Sequence, residues 1–405
     1  MRQWLVSWII GCCLSAAALQ AQNSGLRQVD VPFEYVNGFI VVSVQFHHFL
    51  PLRFILDTGA EHTILSKREL AEVLGLPFRR EVKILGSDRS SYLTAYLCTG
   101  VNLQMGDLIL ENQPVLVFEE DYFPFEALTG MEIHGILGAN VLRRFVLGIH
   151  YQRQLLSFVP AERFEGVPRG FTPVPTDMVR YKPYVEVQVQ LTEQAPTESR
   201  RLLLDTGASI GLLLQTDTLE LFSLPENLLP ANVGLGLGGE LQGFIGRTHR
   251  LQLHVFELGS VLTQFQELSN EADTVFLNDR DGILGNELLE RFILWIDYPR
   301  GQLYLKPSRR FKEDFRFDRS GLRVVAGGLR LNTFVVQSVL PGSPAEDAGV
   351  LIGDEIRSLN RRPASVLSLG GIQNTFQKRE GKLIRLKVLR AGESHIIRFN
   401  LRKLL

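Results

Sequence analysis

The chain has 405 residues, more than one hydrophobic core usually organises, so two or three domains are expected. An apolar fraction of 45% excludes a disordered chain, and a formal charge of −1 argues against a nucleic-acid binder, which needs a concentrated Lys/Arg surface. The densest basic run, Arg309-Arg310-Phe311-Lys312, is diluted at once by Glu313 and Asp314 and reads as a solvated linker face.

Met1-Arg2 supplies one positive charge, residues 4–14 are apolar but too few to span a bilayer, and small residues run on to Ala21. This order reads as a secretory signal peptide over residues 1–21, cut after Ala18 or Ala21, and so as an exported protein, periplasmic or extracellular. A retained anchor, or lipid attachment at Cys12 in Ile9-Ile10-Gly11-Cys12, are the alternatives. Without the leader Cys98 is the single cysteine, unable to form an internal disulfide and expected to be a buried small hydrophobe. No later apolar run approaches the length of a membrane span.

Residues 39–46 are rich in β-branched and aromatic side chains and predict a strand; a second, 52–56, delivers Asp57-Thr58-Gly59-Ala60. Gly135-Ile136-Leu137-Gly138 begins 78 positions after Asp57 and leads into a short predicted helix, 139–145. Strands are expected at 146–150 and 155–158, with Tyr151-Gln152-Arg153 turning between them. After a Pro/Gly-rich crossover at 160–170 the whole pattern returns. Strands at 184–191 and 201–204 lead to Asp205-Thr206-Gly207-Ala208, and Gly282-Ile283-Leu284-Gly285 begins 77 positions later. A helix at 286–292 and strands at 293–297 and 303–305, flanking Tyr298-Pro299-Arg300, complete the copy. A β-rich unit of about 145 residues is thus duplicated, as lobes over 22–165 and 166–310, each bringing one carboxylate to a shared site. Crowded charges over 307–319 mark the next boundary.

Two carboxylates that share a proton must come within hydrogen-bond distance, and each loop residue has a task in bringing them there. Gly59 and Gly207 are expected to supply a sharp turn, and Thr58 and Thr206 can each send a hydroxyl to the opposite lobe's backbone. Together with Ile136-Leu137-Gly138 and Ile283-Leu284-Gly285, these motifs make residues 30–306 resemble the pepsin-like and retroviral-type aspartic proteases. The resemblance implies a mainly β, bilobal aspartic-protease β-barrel fold with each Ile-Leu-Gly segment buttressing a catalytic loop. It implies Asp57 and Asp205 as the catalytic dyad, supported by Thr58, Gly59, Ala60, Thr206, Gly207 and Ala208, and hydrolysis of protein or peptide substrates with no cofactor or metal. Pepsins commonly carry Ser or Thr where Ala60 and Ala208 stand. Alanine cannot donate a hydrogen bond to the carboxylate, so an optimum nearer neutral is expected. Retroviral-type proteases also carry Ala at this position, so lobe for lobe the chain resembles a fused retroviral-type dimer more closely. An acidic residue at the position of Glu61 holds the peptide backbone in retroviral-type enzymes, which makes Glu61, with its counterpart Ser209, a candidate substrate contact. Gly-tipped hairpins at 82–96, turning near Gly86, and at 233–244, with Gly238 and Gly239, are the candidate flaps. His47-His48, His249 and His254 lack ligand spacing, the last two falling in a strand-like region.

Residues 336–350 read as a strand, a turn at Pro341-Gly342, a short helix ended by Gly349, and then a strand opened by Gly353-Asp354. This resembles a PDZ domain over 318–405, which implies an extended peptide ligand added to a sheet edge. Its peptide-binding loop would be Ser320-Gly321-Leu322-Arg323, only partly like the usual Gly-Leu-Gly-Phe, which puts capture of free C termini in doubt. A rival to the peptidase is an inactive peptide-binding scaffold that uses the same cleft and PDZ groove.

Overall fold

The computed structural model describes residues 28–46, 51–85, 92–123, 125–215, 224–236, 239–266 and 280–405. The expected leader with Cys12, His47-His48, Gly86 and Gly238 lie outside the described residues. The strands described form sheets of thirteen, eight and six strands, so the chain is mainly β, as expected.

In each lobe the same three strands set the Asp in place. Phe39–Phe46 pairs antiparallel with Pro51–Leu56, whose far side pairs in parallel with Gly135–Leu137. In the second lobe Lys182–Gln190, Glu198–Leu204 and Gly282–Leu284 repeat the arrangement. Ile64–Leu65 and Leu212–Gln215 then pair antiparallel with the other edges of Gly135–Leu137 and Gly282–Leu284. Each Gly-Ile-Leu strand is therefore wedged between the strand that delivers the Asp and the strand that follows its loop. A Cβ on Gly135 would lie 2.0 Å from Ile64 O, and one on Gly282 would lie 2.0 Å from Leu213 O. The wedge admits no side chain at its first position.

The lobes are joined by pairing of Phe145–His150 with Phe292–Asp297, in register Leu147↔Ile296 and Ile149↔Leu294. Leu155–Pro160 and Val29–Val36 extend this seam on one side, Gln302–Pro307 and Thr172–Pro175 on the other. Leu147, Ile149, Leu294 and Ile296 are buried in one core that spans both lobes. Each such side chain is worth about 1.5–3 kcal/mol on leaving water, so the seam holds the lobes in fixed register. Tyr151 and Tyr298, which open the two expected turns, are buried against this core. Cys98 is buried, and burial pushes its thiol up. His254 departs from the strand-like expectation. With φ of 55° it occupies the turn between Gly239–Leu253 and Phe256–Gln266, where reversing the chain requires a left-handed residue.

The C-terminal domain has its own core, with Phe334, Val336, Ile356, Ile372, Phe376 and Leu386 at its centre. Its strands run in the order Leu322–Gly327, Thr333–Val339, Glu355–Leu359, Leu383–Arg390, Glu393–Asn400, which leaves Leu322–Gly327 at an edge. Ser343 Oγ accepts from Glu346 N to cap helix Pro344–Asp347, and Gly349 follows with φ of 81°. Ser368 Oγ caps helix Leu369–Phe376 in the same way. Helix Phe125–Thr129 of the first lobe packs against the edge strand Leu322–Gly327.

Candidate active site

Both aspartates sit where a strand ends over its wedge: Asp57 N donates to Leu137 O at 3.0 Å and Asp205 N to Leu284 O at 2.9 Å. The threonines behave as expected, and each brackets the aspartate of the other lobe. Thr206 Oγ1 donates to Leu56 O at 2.8 Å and accepts from Thr58 N at 3.1 Å, the backbone groups on either side of Asp57. Thr58 Oγ1 donates to Leu204 O at 2.6 Å and accepts from Thr206 N at 3.0 Å, around Asp205. Both hydroxyls are fully buried, where an unpaired polar group is costly, so the four bonds fix the two loops against each other.

The carboxyls of Asp57 and Asp205 lie together, close enough for each to act on the other's hold on a proton. The glycines between them act differently from the sequence expectation. Neither Gly59 nor Gly207 has positive φ. A Cβ on Gly207 would lie 2.3 Å from Asp57 Cγ, and one on Gly59 would lie 2.7 Å from Asp205 Cγ. The chain does bend at both motifs, but without a φ that would itself demand glycine; glycine is required because each carboxyl rests on the backbone of the opposite loop.

Asp57 Oδ1 accepts from Gly59 N at 2.7 Å and Ala60 N at 2.8 Å, while Asp205 Oδ1 accepts from Gly207 N at 2.8 Å. Burial pushes both carboxyls above the ordinary Asp range, and the neighbouring Asp205 charge raises Asp57 further. Around Asp205 the positive charge of Arg280 opposes the rise. Arg280 escaped the sequence reading because nothing at its counterpart, Ile133, marks the position. Two half-buried carboxyls set against each other, with raised affinity for protons, can hold one proton between them.

Four further features stayed unnoticed because the two copies differ at them. Arg53 N donates to His134 Nδ1 at 3.1 Å, and at the matching place Arg201 N donates to Asp281 Oδ2 at 2.8 Å, so unlike side chains pin the two Asp-bearing strands. Asn286 Nδ2 donates to Gly38 O at 2.7 Å and to Thr206 O at 2.5 Å, and its Oδ1 accepts from Tyr151 at 2.6 Å. It ties the second Asp-bearing loop to the first lobe. Asn37-Gly38 and Arg180-Tyr181, each with both residues at positive φ, are two-residue hairpin turns that reach the opposite lobe. Gly38 packs on Ser209, where a Cβ would lie 2.7 Å from Ser209 Cβ, and Arg180 stands 3.9 Å from the half-exposed Glu61.

The first candidate flap is a hairpin closed by the pairs Val82↔Ala95 and Leu85↔Tyr92; the second is closed by Gly236↔Gly239. Val82 and Ile84 share an apolar cluster with Ala60 of the first Asp-bearing loop and with Tyr122, Phe123 and Phe125. The Phe123 and Phe125 rings stack at 4.5 Å. A cavity of about 1360 Å³ lies between the second lobe and the chain's C terminus, and neither Asp57 nor Asp205 lines it. Among the described residues no group of three or more His, Cys, Asp or Glu side chains could hold a metal ion. At the other end of the chain Gly321 has φ of 82°, Leu322 is buried, and Arg323 lies in the edge strand.

Residues 36–141 match the family model described as aspartyl protease, and residues 335–390 match that of the PDZ domain. No curated protein matches the chain. Among solved structures, the aspartic proteinase from Irpex lacteus is 14% identical with a TM-score of 0.48, over 71% of this chain and 99% of that one. Basic 7S globulin from soybean is 10% identical with a TM-score of 0.43, over 72% of this chain and 100% of that one.

Proposed function

We propose that this chain, which joins an aspartyl-protease-like domain to a PDZ domain, is an aspartic endopeptidase with Asp57 and Asp205 as its dyad. The observation that carries the reading is the contact between the two carboxyls, each seated on the glycine of the opposite loop. With one shared proton, the ionised carboxylate takes a proton from a water held between the pair as the water oxygen bonds to the peptide carbonyl carbon. The protonated carboxyl donates to the carbonyl oxygen as charge builds there. Collapse of the tetrahedral intermediate breaks the C–N bond, passes a proton to the leaving amine, and returns the pair to its single proton.

Thr58 and Thr206 hold the loops, Gly59 and Gly207 let the carboxyls meet, and Ala60 and Ala208 leave the dyad without a hydroxyl donor. Glu61 and Ser209 flank the substrate backbone, and the two hairpins cover it. The leader-like residues 1–21 support work outside the cytoplasm. Asp57→Asn tests the assignment with a mixed peptide library: cleavage should vanish while the circular dichroism spectrum and peptide binding persist. Cleavage by this variant at the unmodified protein's rate refutes it, and binding without products by the unmodified protein supports the scaffold reading.

A further inference from the structure

In a PDZ domain the edge strand and the helix beside it bound the groove that an extended peptide enters, and backbone N–H groups of the preceding loop take its terminal carboxylate. Here both ends of that groove are already engaged. At the loop, Asp318 Oδ1 accepts from Ser320 N at 2.8 Å, from Ser320 Oγ at 2.9 Å and from Gly321 N at 2.5 Å. Leu322 N turns to Ser320 Oγ at 3.1 Å. The internal carboxylate and the Ser320 hydroxyl thus occupy the N–H donors of Ser320, Gly321 and Leu322 in this loop.

At the opposite end, Gly130 of the first lobe enters between strand and helix: a Cβ there would lie 3.3 Å from Leu369 Cβ and 3.7 Å from Ala326 Cβ. Gly130 directly follows helix Phe125–Thr129, which packs on Leu322–Gly327 and carries Phe125 of the apolar cluster beside Ala60. Asn37 fastens the same helix by donating to Leu128 O at 2.9 Å and Thr129 O at 3.3 Å. Its Oδ1 would lie 2.6 Å from a Cβ on Gly370, so the turn also touches the PDZ helix. Gly38, the next residue, carries the contacts to Ser209 and Asn286 of the second catalytic loop.

We infer that the PDZ groove is a clamp acting in cis: it grips residues 125–130 and so holds the aromatic wall on the first-lobe side of the substrate cleft. Its effect on catalysis rests on the peptidase reading above; the clamp itself does not. Ala326→Glu places a charge in the grip. It should speed amide deuterium exchange over residues 125–130 and raise KM for substrates with large apolar side chains about tenfold, leaving the pH profile of kcat unchanged.

The pair Gly130→Cys and Ala326→Cys tests the opposite direction, since a Cβ separation of 3.7 Å falls within the usual disulfide range; Gly130 has φ of 70°, so the strain of a side chain there is common to both redox forms and cancels in their comparison. The oxidised, locked protein should keep kcat/KM within about twofold of its reduced form. Loss of activity on locking, restored by reduction, would mean that closure inhibits and would overturn the clamp. So would unchanged exchange over 125–130 in a folded Ala326→Glu protein, a readout that stands even if no peptide is ever cleaved. Apolar hexapeptides and their C-terminal amides should bind the full chain equally; a tenfold preference for the free carboxylate counts against the self-filled loop.

Discussion

Replacing Thr206 by Val keeps the volume nearly constant and removes one hydroxyl from the lobe seam. That hydroxyl donates to Leu56 O and accepts from Thr58 N, and Thr206 is completely buried, so two backbone groups lose their partners where water cannot replace them. Each orphaned group costs about 1–3 kcal/mol, or about 2–6 kcal/mol for the pair. At about 2–4 °C per kcal/mol for domains of this size, Tm should fall by roughly 5–20 °C in calorimetry. The two groups flank Asp57, so the carboxyl moves with them, and a shift of about 1 Å is enough to lower kcat on the order of 100-fold. Thr206→Ser retains the oxygen and should recover most of both losses. A Val variant with Tm within 1 °C and kcat within twofold, or a Ser variant as damaged as the Val one, would refute the argument that the hydroxyl, and not the shape, holds the site.

Glu287 has its carboxyl pushed up to about 7 from an ordinary 4.5, first by burial and then by Glu290, with Arg291 opposing. A raised acid pKa means that the folded chain holds the proton more tightly, so this group's stabilisation is full below about pH 4.5 and is lost as pH climbs towards 7. Glu287→Gln should therefore add about 2–3 kcal/mol in urea unfolding at pH 8 and almost nothing at pH 4, and an equal gain at both would contradict the cause. Gly207→Ala drives a methyl into Asp57, whose Cγ lies 2.3 Å from the new Cβ, and should abolish measurable turnover while the far-ultraviolet spectrum stays unchanged. Retained turnover would show that the carboxyl can leave its seat. Arg280→Gln removes the charge that opposes the rise at Asp205, so the acid limb of kcat/KM should move to higher pH. An immobile limb would deny the coupling, and an optimum below about pH 3 in the unaltered protein would reject the role given to Ala60 and Ala208.

Sequence alone determined the two-lobed organisation, the pair of aspartates, the threonine bridges and the C-terminal domain. Each of these depends on local backbone needs or on an exact repeat, and such signals survive in one dimension. Asp57 and Asp205 were legible because the chain says the same thing twice. What stayed hidden rests on meetings between distant segments: Asn286 reaching Gly38, His134 and Asp281 doing one task with unlike side chains, and Gly130 held against Ala326. The glycines of the two Asp-bearing loops make the same point, since the turn was legible in sequence but the second and stricter reason for glycine was not. Only the folded chain reveals that the obstacle to a side chain is the carboxyl of the other lobe, because steric exclusion is set by whichever atoms packing brings near and not by the residues next in sequence.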